Sequence, residues 1–143
     1  MKYESPFFSI VITTFNREVS VVRAIESCIN QSFKDFEILV IDDCSSDSSV
    51  DMVNSKNFKN LRLISHNKNK GNSVARDTGS LNAKGQWIIN LDSDHTLEKN
   101  ALDFFFNKAL FIQETVSVIG ASFRFDDGRQ SPNFVPLDTI DYI

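Results

Sequence analysis

Short apolar runs alternate with segments of helical periodicity along most of this chain. The apolar runs are rich in β-branched and aromatic residues, as buried strands are, and lie at 7–15, 36–41, 61–64, 86–91 and 116–123. After the first run, apolar residues recur at the spacing of one helical face, from Val22 to Ile29. This alternation predicts βαβ units, and therefore an α/β fold with a doubly wound, mostly parallel sheet and helices on both faces.

Four helices are predicted after the first four strands. They begin near residues 17, 48, 72 and 97, and the last runs to Glu114. The 143 residues suffice for a single domain, 1–143, with its core at about 7–123. Beyond the core the periodicity weakens, and 124–143, with a turn signal and two prolines, is predicted to be irregular.

The composition excludes several classes of function. Its 41% hydrophobic and 24% charged residues are typical of a soluble globular protein. The net charge of −4 argues against a nucleic-acid-binding surface as the main function. No apolar run approaches the roughly 20 residues of a membrane-spanning helix. Because the first residues also lack a secretory pattern, we expect a cytoplasmic protein. Cys28, on an apolar helix stripe, is predicted to be a core residue rather than a reactive thiol.

The fourth apolar run stops at two carboxylates spaced one residue apart. Side chains at i and i+2 of an extended segment point to the same face, so Asp92 and Asp94 are predicted to converge. In open α/β sheets, ligands bind in the crevice outside the carboxyl ends of the strands. Two carboxylates at that edge suit a hard divalent cation, which makes them a candidate metal site. Ordinary turn chemistry is the alternative interpretation of this pair.

The same edge of the predicted sheet collects further polar and aromatic residues. They are Thr13, Thr14, Phe15 and Asn16 after the first strand, Asp42 and Asp43 after the second, Lys68 and Lys70 after the third, and Ser93 after the fourth. Arg76 follows a helix start at Gly71–Ser73, where free N–H groups attract phosphate. These residues offer an aromatic face, acidic side chains, a candidate metal site and an anion-binding helix end. Together they match the base, the sugar and the bridged phosphates of a nucleoside diphosphate. Neither a Gly-x-Gly-x-x-Gly motif after the first strand nor a Walker motif occurs.

Each of these residues also has a plainer interpretation. The acids after the second strand suit a helix cap, Phe15 suits the core, and the two lysines suit a solvated loop. Arg76 suits a surface ion pair. His66 is predicted to be a loop residue, and His95 is either a site residue or a solvated loop histidine. Their joint position at one edge of the sheet favours a binding site.

Four blocks of the chain, in order, resemble the family 2 glycosyltransferases. The blocks are Ile10–Arg17, Ser27–Phe33 with Phe36–Asp47, Gly71–Gly79, and Gly85–Asp94, and the resemblance covers roughly 7–120. It implies the N-terminal, nucleotide-sugar-binding portion of a GT-A fold, which is Rossmann-like and here truncated. It also implies metal-dependent transfer of a sugar from a nucleotide-sugar donor, UDP-linked, with inversion at the anomeric carbon. The implied acceptor is a saccharide or a lipid-linked molecule of cell-wall or polysaccharide biosynthesis.

The resemblance implies roles for residues on the nucleobase side of the site. Thr13 and Phe15 line the base pocket, with Phe15 stacking on the ring, and Asn16 belongs to the donor site. Asp43 accepts a hydrogen bond from the base, commonly a uracil. Phe15 stands where the family often has tyrosine, which keeps the stacking but removes a hydroxyl. Cys44 stands where a small or polar residue is frequent.

On the diphosphate side, the resemblance implies a second set of roles. Arg76 faces the phosphate or nucleobase region of the donor, and Ser93 belongs to the donor site. Asp92 lies by the ribose and the metal, and Asp94 coordinates the Mg²⁺ or Mn²⁺ that bridges the diphosphate. His95 stands where family members often carry a further acid.

The general base of the family is supplied by a later, acceptor-binding half. Nothing after residue 123 resembles that half, and Asp126 and Asp127 stand in a turn context. The resemblance therefore implies the donor-binding half of an enzyme, with the catalytic base outside this chain. A full-length form is expected in the cytoplasm or at the inner face of the membrane. The alternatives are a non-catalytic nucleotide-sugar-binding module and a nucleotidyltransferase, whose Gly-rich loop Thr13–Arg17 does not match.

Overall fold

Four parallel strands form a sheet in the part of the chain that the structure, a computed structural model, describes, residues 5–110. The strands are β1 (Phe8–Thr14), β2 (Phe36–Asp42), β3 (Leu61–Ser65) and β4 (Trp87–Asp92). The helices are α1 (Glu18–Ile29), α2 (Ser49–Asn54), α3 (Asn72–Asn82) and α4 (Ala101–Ala109). The strand order is β3-β2-β1-β4, and every neighbouring pair is parallel, which confirms the predicted α/β sheet. The predicted fifth strand, 116–123, and the tail, 124–143, lie outside the described residues.

The chain divides into two compact units, residues 1–103 and 104–143. The first contains the sheet and helices α1 to α3, and of the second the structure describes only 104–110. Helix α4 begins at Ala101 rather than at Leu97, because Asn100 adopts a positive φ of 67° that a helix cannot contain. Within residues 5–110, no helix has the length and apolar character needed to cross a membrane.

The two central strands are buried along their whole length, which is why their sequences are continuous apolar runs. The chain passes from β1 outward to β3 and then returns to the other side of β1. Right-handed crossovers therefore place α1 and α2 on one face of the sheet and α3 on the other. On the α3 face, Val11, Leu39, Ile41 and Ala75 pack together. Cys28 is fully buried and its burial raises the pKa of the thiol to about 12, which confirms the predicted core role.

At the amino ends of the strands, a buried carboxylate joins three elements. Glu37 of β2 accepts hydrogen bonds from Ser9 Oγ at 2.6 Å and from the Lys84 N–H at 2.7 Å. Arg62 of β3 adds an ion pair through Nε at 3.1 Å and Nη2 at 2.9 Å. Burial alone raises the pKa of Glu37, but these bonds and the Arg62 charge outweigh burial and hold the pKa below its usual value. The network fastens the loop before β4 to the sheet.

The carboxyl ends of the strands are level with one another. The register pairs Thr14 with Asp42 and Thr13 with Asp92. His66 directly follows β3, and its backbone N–H donates to the Asp42 carbonyl at 2.8 Å. The residues that follow the strands are therefore gathered at one edge.

Candidate functional site

A cleft of about 340 Å³ opens at the carboxyl edge of the sheet, within the usual size range of small-ligand pockets. Its lining comes from the last residues of β1 and β4, the loops after the four strands and the start of α3: Thr13, Thr14, Phe15, Arg17, Asp43, Asn69, Gly71, Asn72, Ala75, Asp92, Ser93 and Asp94. The structure thus brings together most of the predicted site residues, namely Thr13, Phe15, Asp43, Asp92, Ser93 and Asp94. Asn16 and Arg76 are not part of the lining.

The loop after β1 is held by the loop after β2. Asn16 has a φ of 51°, a conformation that asparagine tolerates better than most residues. Its backbone N–H donates to Ser45 Oγ at 2.9 Å, and its Oδ1 accepts the Ser46 N–H at 2.8 Å. The Asn16 side chain therefore fixes the loop instead of lining the cleft. Phe15 is 44% exposed at the rim, so the core interpretation of this ring is wrong.

Asp43 is a buried acid in the wall of the cleft. Its Oδ1 faces His66 Nδ1 at 2.7 Å and accepts the Lys70 N–H at 2.9 Å, and its Oδ2 accepts the Gly71 N–H at 2.7 Å. Burial by itself raises the pKa of Asp43, but these three hydrogen bonds outweigh it and hold the pKa below its usual value. The ionised carboxylate therefore closes the loop between β3 and α3. The acids after β2 were also candidates for capping the next helix. Of these acids it is Asp47, and not Asp43, that accepts the N–H of Ser49 at the start of α2, at 2.9 Å.

Strand β4 ends at Asp92, and a turn follows in which the His95 N–H donates to the Asp92 carbonyl at 2.9 Å. Asp94 thus lies in a turn, so strand alternation is the wrong reason for its approach to Asp92. The two carboxylates nevertheless approach a common atom. His95 Nδ1 lies 3.4 Å from Asp94 Oδ1 and 3.9 Å from Asp92 Oδ2. His95 is therefore a neighbour of the candidate metal site rather than a remote loop residue.

Arg76 reaches the cleft indirectly, through Asp92. Its Nη2 donates to Asp92 Oδ1 at 2.6 Å, and both side chains are about four-tenths exposed. Arg76 does form the ion pair that the plainer interpretation expected. Its partner, Asp92, is one of the residues that line the cleft. Asp92 therefore lies between one cationic side chain and the cleft.

Asp92 and Asp94 offer oxygen ligands of the kind that Mg²⁺ and Mn²⁺ prefer. Within residues 5–110, no group of three or more His, Cys, Asp or Glu side chains is arranged to hold a metal ion. Two carboxylates fit a cation that keeps several waters and takes its remaining ligands from a bound phosphate, as Mg²⁺ commonly does.

The sequence patterns missed several residues of the cleft wall. Arg17, Asn69 and Asn72 line it, and Asn72 Oδ1 accepts the Thr13 hydroxyl at 2.7 Å. The position of Asn72 at the start of a helix was the available signal for it. Thr14 belongs to the lining, and its buried Oγ1 has no hydrogen-bond partner among the described residues.

The loop after β3 contributes to the cleft through backbone groups and not through its lysine side chains. The Lys68 and Lys70 side chains do not line the cleft, and Lys70 contributes its backbone N–H. His66 does lie in this loop, as predicted, but it is buried and contacts Asp43. No short-range signal in the sequence predicts that contact, because the two residues follow different strands of the sheet.

A model of the family described as glycosyl transferase family 2 matches residues 9–134. The chain belongs to glycosyl transferase family 2. An "uncharacterized glycosyltransferase" of Haemophilus influenzae is 30% identical over 142 residues, which are 96% of this chain and 56% of that protein. The poly(ribitol-phosphate) β-N-acetylglucosaminyltransferase TarP of Staphylococcus aureus is 38% identical over 103 residues, 69% of this chain and 32% of TarP.

A third relative in family 2 is the GalNAc(5)-diNAcBac-PP-undecaprenol β-1,3-glucosyltransferase of Campylobacter jejuni. It is 36% identical over 107 residues, which are 73% of this chain and 35% of that enzyme. The chain therefore spans about half or less of the length of these family members.

Two solved structures support the fold assignment. Residues 1–349 of S. aureus TarS in complex with UDP-GlcNAc match with a TM-score of 0.66 and 30% identity, over 73% of this chain and 30% of that one. The mannosyltransferase PcManGT of Pyrobaculum calidifontis, in complex with GDP-Man and Mn²⁺, matches with a TM-score of 0.66 and 18% identity, over 80% of this chain and 34% of that one. The predicted GT-A, Rossmann-like fold is confirmed.

Proposed function

We propose that this chain binds a nucleoside-diphosphate sugar, UDP-linked, in the cleft, and that it supplies the donor-binding half of a metal-dependent, inverting glycosyltransferase. The observation that carries the proposal is the cleft itself. It brings an exposed aromatic ring, a buried ionised acid and the carboxylates of Asp92 and Asp94 to one edge of the sheet. These are the groups that a base, a ribose and a diphosphate require.

The base and the ribose are assigned to the side of the cleft formed by β1 and β2. The exposed ring of Phe15 offers a flat face on which a base stacks. Asp43, in the lining of the cleft, accepts an N–H of the base. Thr13 is held by Asn72 and shapes the pocket wall.

The diphosphate is assigned to the side formed by β4 and α3. Asp92 and Asp94 would hold Mg²⁺ or Mn²⁺, with Ser93 between them in the lining. When bound, the cation neutralises charge that develops on the departing nucleoside diphosphate. Arg76 orients Asp92 through its 2.6 Å bond and adds positive charge beside the phosphates. Arg17 adds a second cationic side chain to the lining of the cleft.

The acceptor is proposed to be a saccharide or a lipid-linked molecule. The support is the name of the Campylobacter relative, which refers to an undecaprenol-linked substrate. We place the reaction in the cytoplasm or at the inner face of the membrane for the same reason. The acceptor's general base is not assigned to any residue of this chain.

Calorimetric titration of the chain with UDP and GDP, each with and without Mn²⁺, tests the donor site. We expect UDP to bind, and Mn²⁺ to tighten its binding at least tenfold because the cation links the diphosphate to the aspartates. Asp94→Ala should abolish the Mn²⁺ dependence. Asp51→Ala serves as the matched control, because Asp51 is an exposed acid of α2 outside the cleft.

Two outcomes would overturn the donor-site assignment. One is that no nucleoside diphosphate binds to the folded chain. The other is that Asp94→Ala keeps the full Mn²⁺ dependence, which would move the cation away from the β4 edge.

A further inference from the structure

His66 is a buried histidine whose ring is hydrogen-bonded on both sides. Its Nδ1 lies 2.7 Å from Asp43 Oδ1, and its Nε2 lies 3.0 Å from Thr78 Oγ1. The side chains of His66 and Asp43 are each 5% exposed. Contacts to the loop after β2 on one side and to α3 on the other therefore fix the plane of the ring.

The partner of Nδ1 determines where the ring carries a proton. An ionised carboxylate only accepts hydrogen bonds, so His66 Nδ1 must be the donor to Asp43. Such charge-assisted bonds are stronger than bonds between neutral groups. Thr78 holds the opposite nitrogen, and its own hydroxyl lies 2.9 Å from the Val74 carbonyl within α3. The ring therefore cannot turn away from Asp43 without breaking a second contact.

The hydrogen bonds to Asp43 can be counted against its capacity. A carboxylate offers about four acceptor positions, two on each oxygen. His66 and the Lys70 N–H occupy both positions of Oδ1, and the Gly71 N–H occupies one position of Oδ2. Within the described residues, one position of Oδ2 is left for a ligand in the cleft. Uracil presents a single imide N–H and needs one position, whereas guanine presents two adjacent donors and needs both oxygens.

We propose that His66 is a positioning residue of the donor site. By occupying Asp43 Oδ1 it orients the carboxylate so that Oδ2 alone receives the nucleobase, which favours uracil over guanine. This inference rests on the proposed function, because it takes Asp43 as the residue that binds the base. His66 itself does not touch the donor and acts through Asp43.

Two substitutions of His66 separate its two hydrogen bonds. In His66→Asn the amide nitrogen occupies the place of Nδ1 and keeps the donor to Asp43. In His66→Gln the amide occupies the place of Nε2, reaches toward Thr78 and leaves Asp43 Oδ1 without that donor. UDP and GDP affinities are measured by calorimetry with Mn²⁺, and unfolding in urea is measured for each variant.

We expect His66→Gln to weaken UDP binding about tenfold or more, and to bring the UDP and GDP affinities closer together. His66→Asn should bind UDP within about threefold of the wild type, a rescue that a purely structural role of the ring does not predict. In an Asp43→Asn background, His66→Gln should change UDP affinity less than twofold. Equal losses in the two His66 variants, or UDP affinity of His66→Gln within twofold of the wild type, would overturn the proposal.

The controls separate this inference from the proposed function. If Asp43→Asn binds UDP as tightly as the wild type, the assignment of Asp43 to the base fails. If Asp43→Asn loses UDP and His66→Gln does not, only the role of His66 fails. Should a His66 variant not fold, ¹⁵N NMR of the wild-type histidines decides. A protonated Nδ1 on His66 whose signal shifts on addition of UDP supports the role, and an unprotonated Nδ1 overturns it.

Discussion

Gly79 of α3 lies directly against β1, and its replacement by alanine tests how the fold positions the site. A Cβ at Gly79 would lie 2.2 Å from Val11 Cγ1 and 3.1 Å from Val11 Cγ2. Carbon atoms in contact prefer about 3.5–4.0 Å, so α3 and Val11 must separate by more than 1 Å. Val11 is buried in a central strand and packs against Leu39, Ile41 and Ala75.

The magnitude follows from two opposing effects. Overpacking a core of this kind costs about 1–3 kcal/mol, while alanine is a better helix former than glycine by about 1 kcal/mol. Because Val11 Cγ1 lies far inside contact distance, the overpacking cost should be about 2–3 kcal/mol, and we expect Gly79→Ala to lower the free energy of unfolding by about 1–2 kcal/mol. In a Val11→Ala background the clashing Cγ atoms are absent, and the remaining Cβ at 3.2 Å can move into the space they leave. The same substitution should then stabilise the protein by up to about 1 kcal/mol, through helix propensity.

Urea unfolding of the wild type, both single variants and the double variant measures this change of sign. Donor affinity provides a second measurement, because α3 also carries Asn72 and Arg76, which bond to Thr13 and Asp92. Gly79→Ala should therefore weaken UDP binding in the wild-type background and not in the Val11→Ala background. If Gly79→Ala has the same effect on stability in both backgrounds, the contact between Gly79 and Val11 does not set the distance of α3 from the sheet.

Two further predictions concern stability. Cys44 has a φ of 70°, which costs a non-glycine residue about 1–2 kcal/mol. Glycine removes this cost but increases the conformational entropy of the unfolded chain, which offsets part of the gain. Cys44→Gly should therefore stabilise the protein by about 0.5–1 kcal/mol, and a lower melting temperature of the variant would contradict this. Glu37→Gln should destabilise the protein by about 2–3 kcal/mol, less than the loss of a fully buried pair, because the Arg62 side chain is 35% exposed. Since folding lowers the pKa of Glu37 from an ordinary value of 4.5, its contribution is complete above that pH and is lost as pH falls through the folded pKa. Urea unfolding between pH 7 and pH 3 should show this loss in the wild type and a smaller one in Glu37→Gln.

The sheet was predictable because its central strands are buried on both faces and read as continuous apolar runs. Asp92 and Asp94 were predicted to converge through strand alternation, but Asp94 lies in a turn that begins where β4 ends, and the atom that both carboxylates approach is His95 Nδ1. Asn16 was assigned to the donor, but its side chain bonds to Ser46, and that use depends on the positive φ of Asn16. Such assignments need backbone angles and contacts between loops, which spacing along one chain does not contain.

The contact of His66 with Asp43 could not be predicted from the sequence, for a related reason. A lone histidine in a loop rich in lysine and asparagine has no periodicity that marks it as buried. It is buried because β3 pairs with β2, which brings the first residue after one strand beside the carboxylate that follows the other. Long-range pairing of this kind is a property of the sheet, and it appears only when the strand order is known.

The acids of the cleft differ in what surrounds them, and this difference suits them to different roles. Asp43 is enclosed by two backbone N–H groups and His66, so its charge is compensated by the protein and its geometry is fixed before any ligand arrives. Asp92 and Asp94 are more exposed, and their neighbours are the side chains of Arg76 and His95. Side chains at a surface rearrange at little cost, whereas a buried hydrogen-bonded carboxylate does not. Under the proposed function, the fixed and buried acid is suited to bind the base, and the more exposed pair would hold the cation beside the diphosphate.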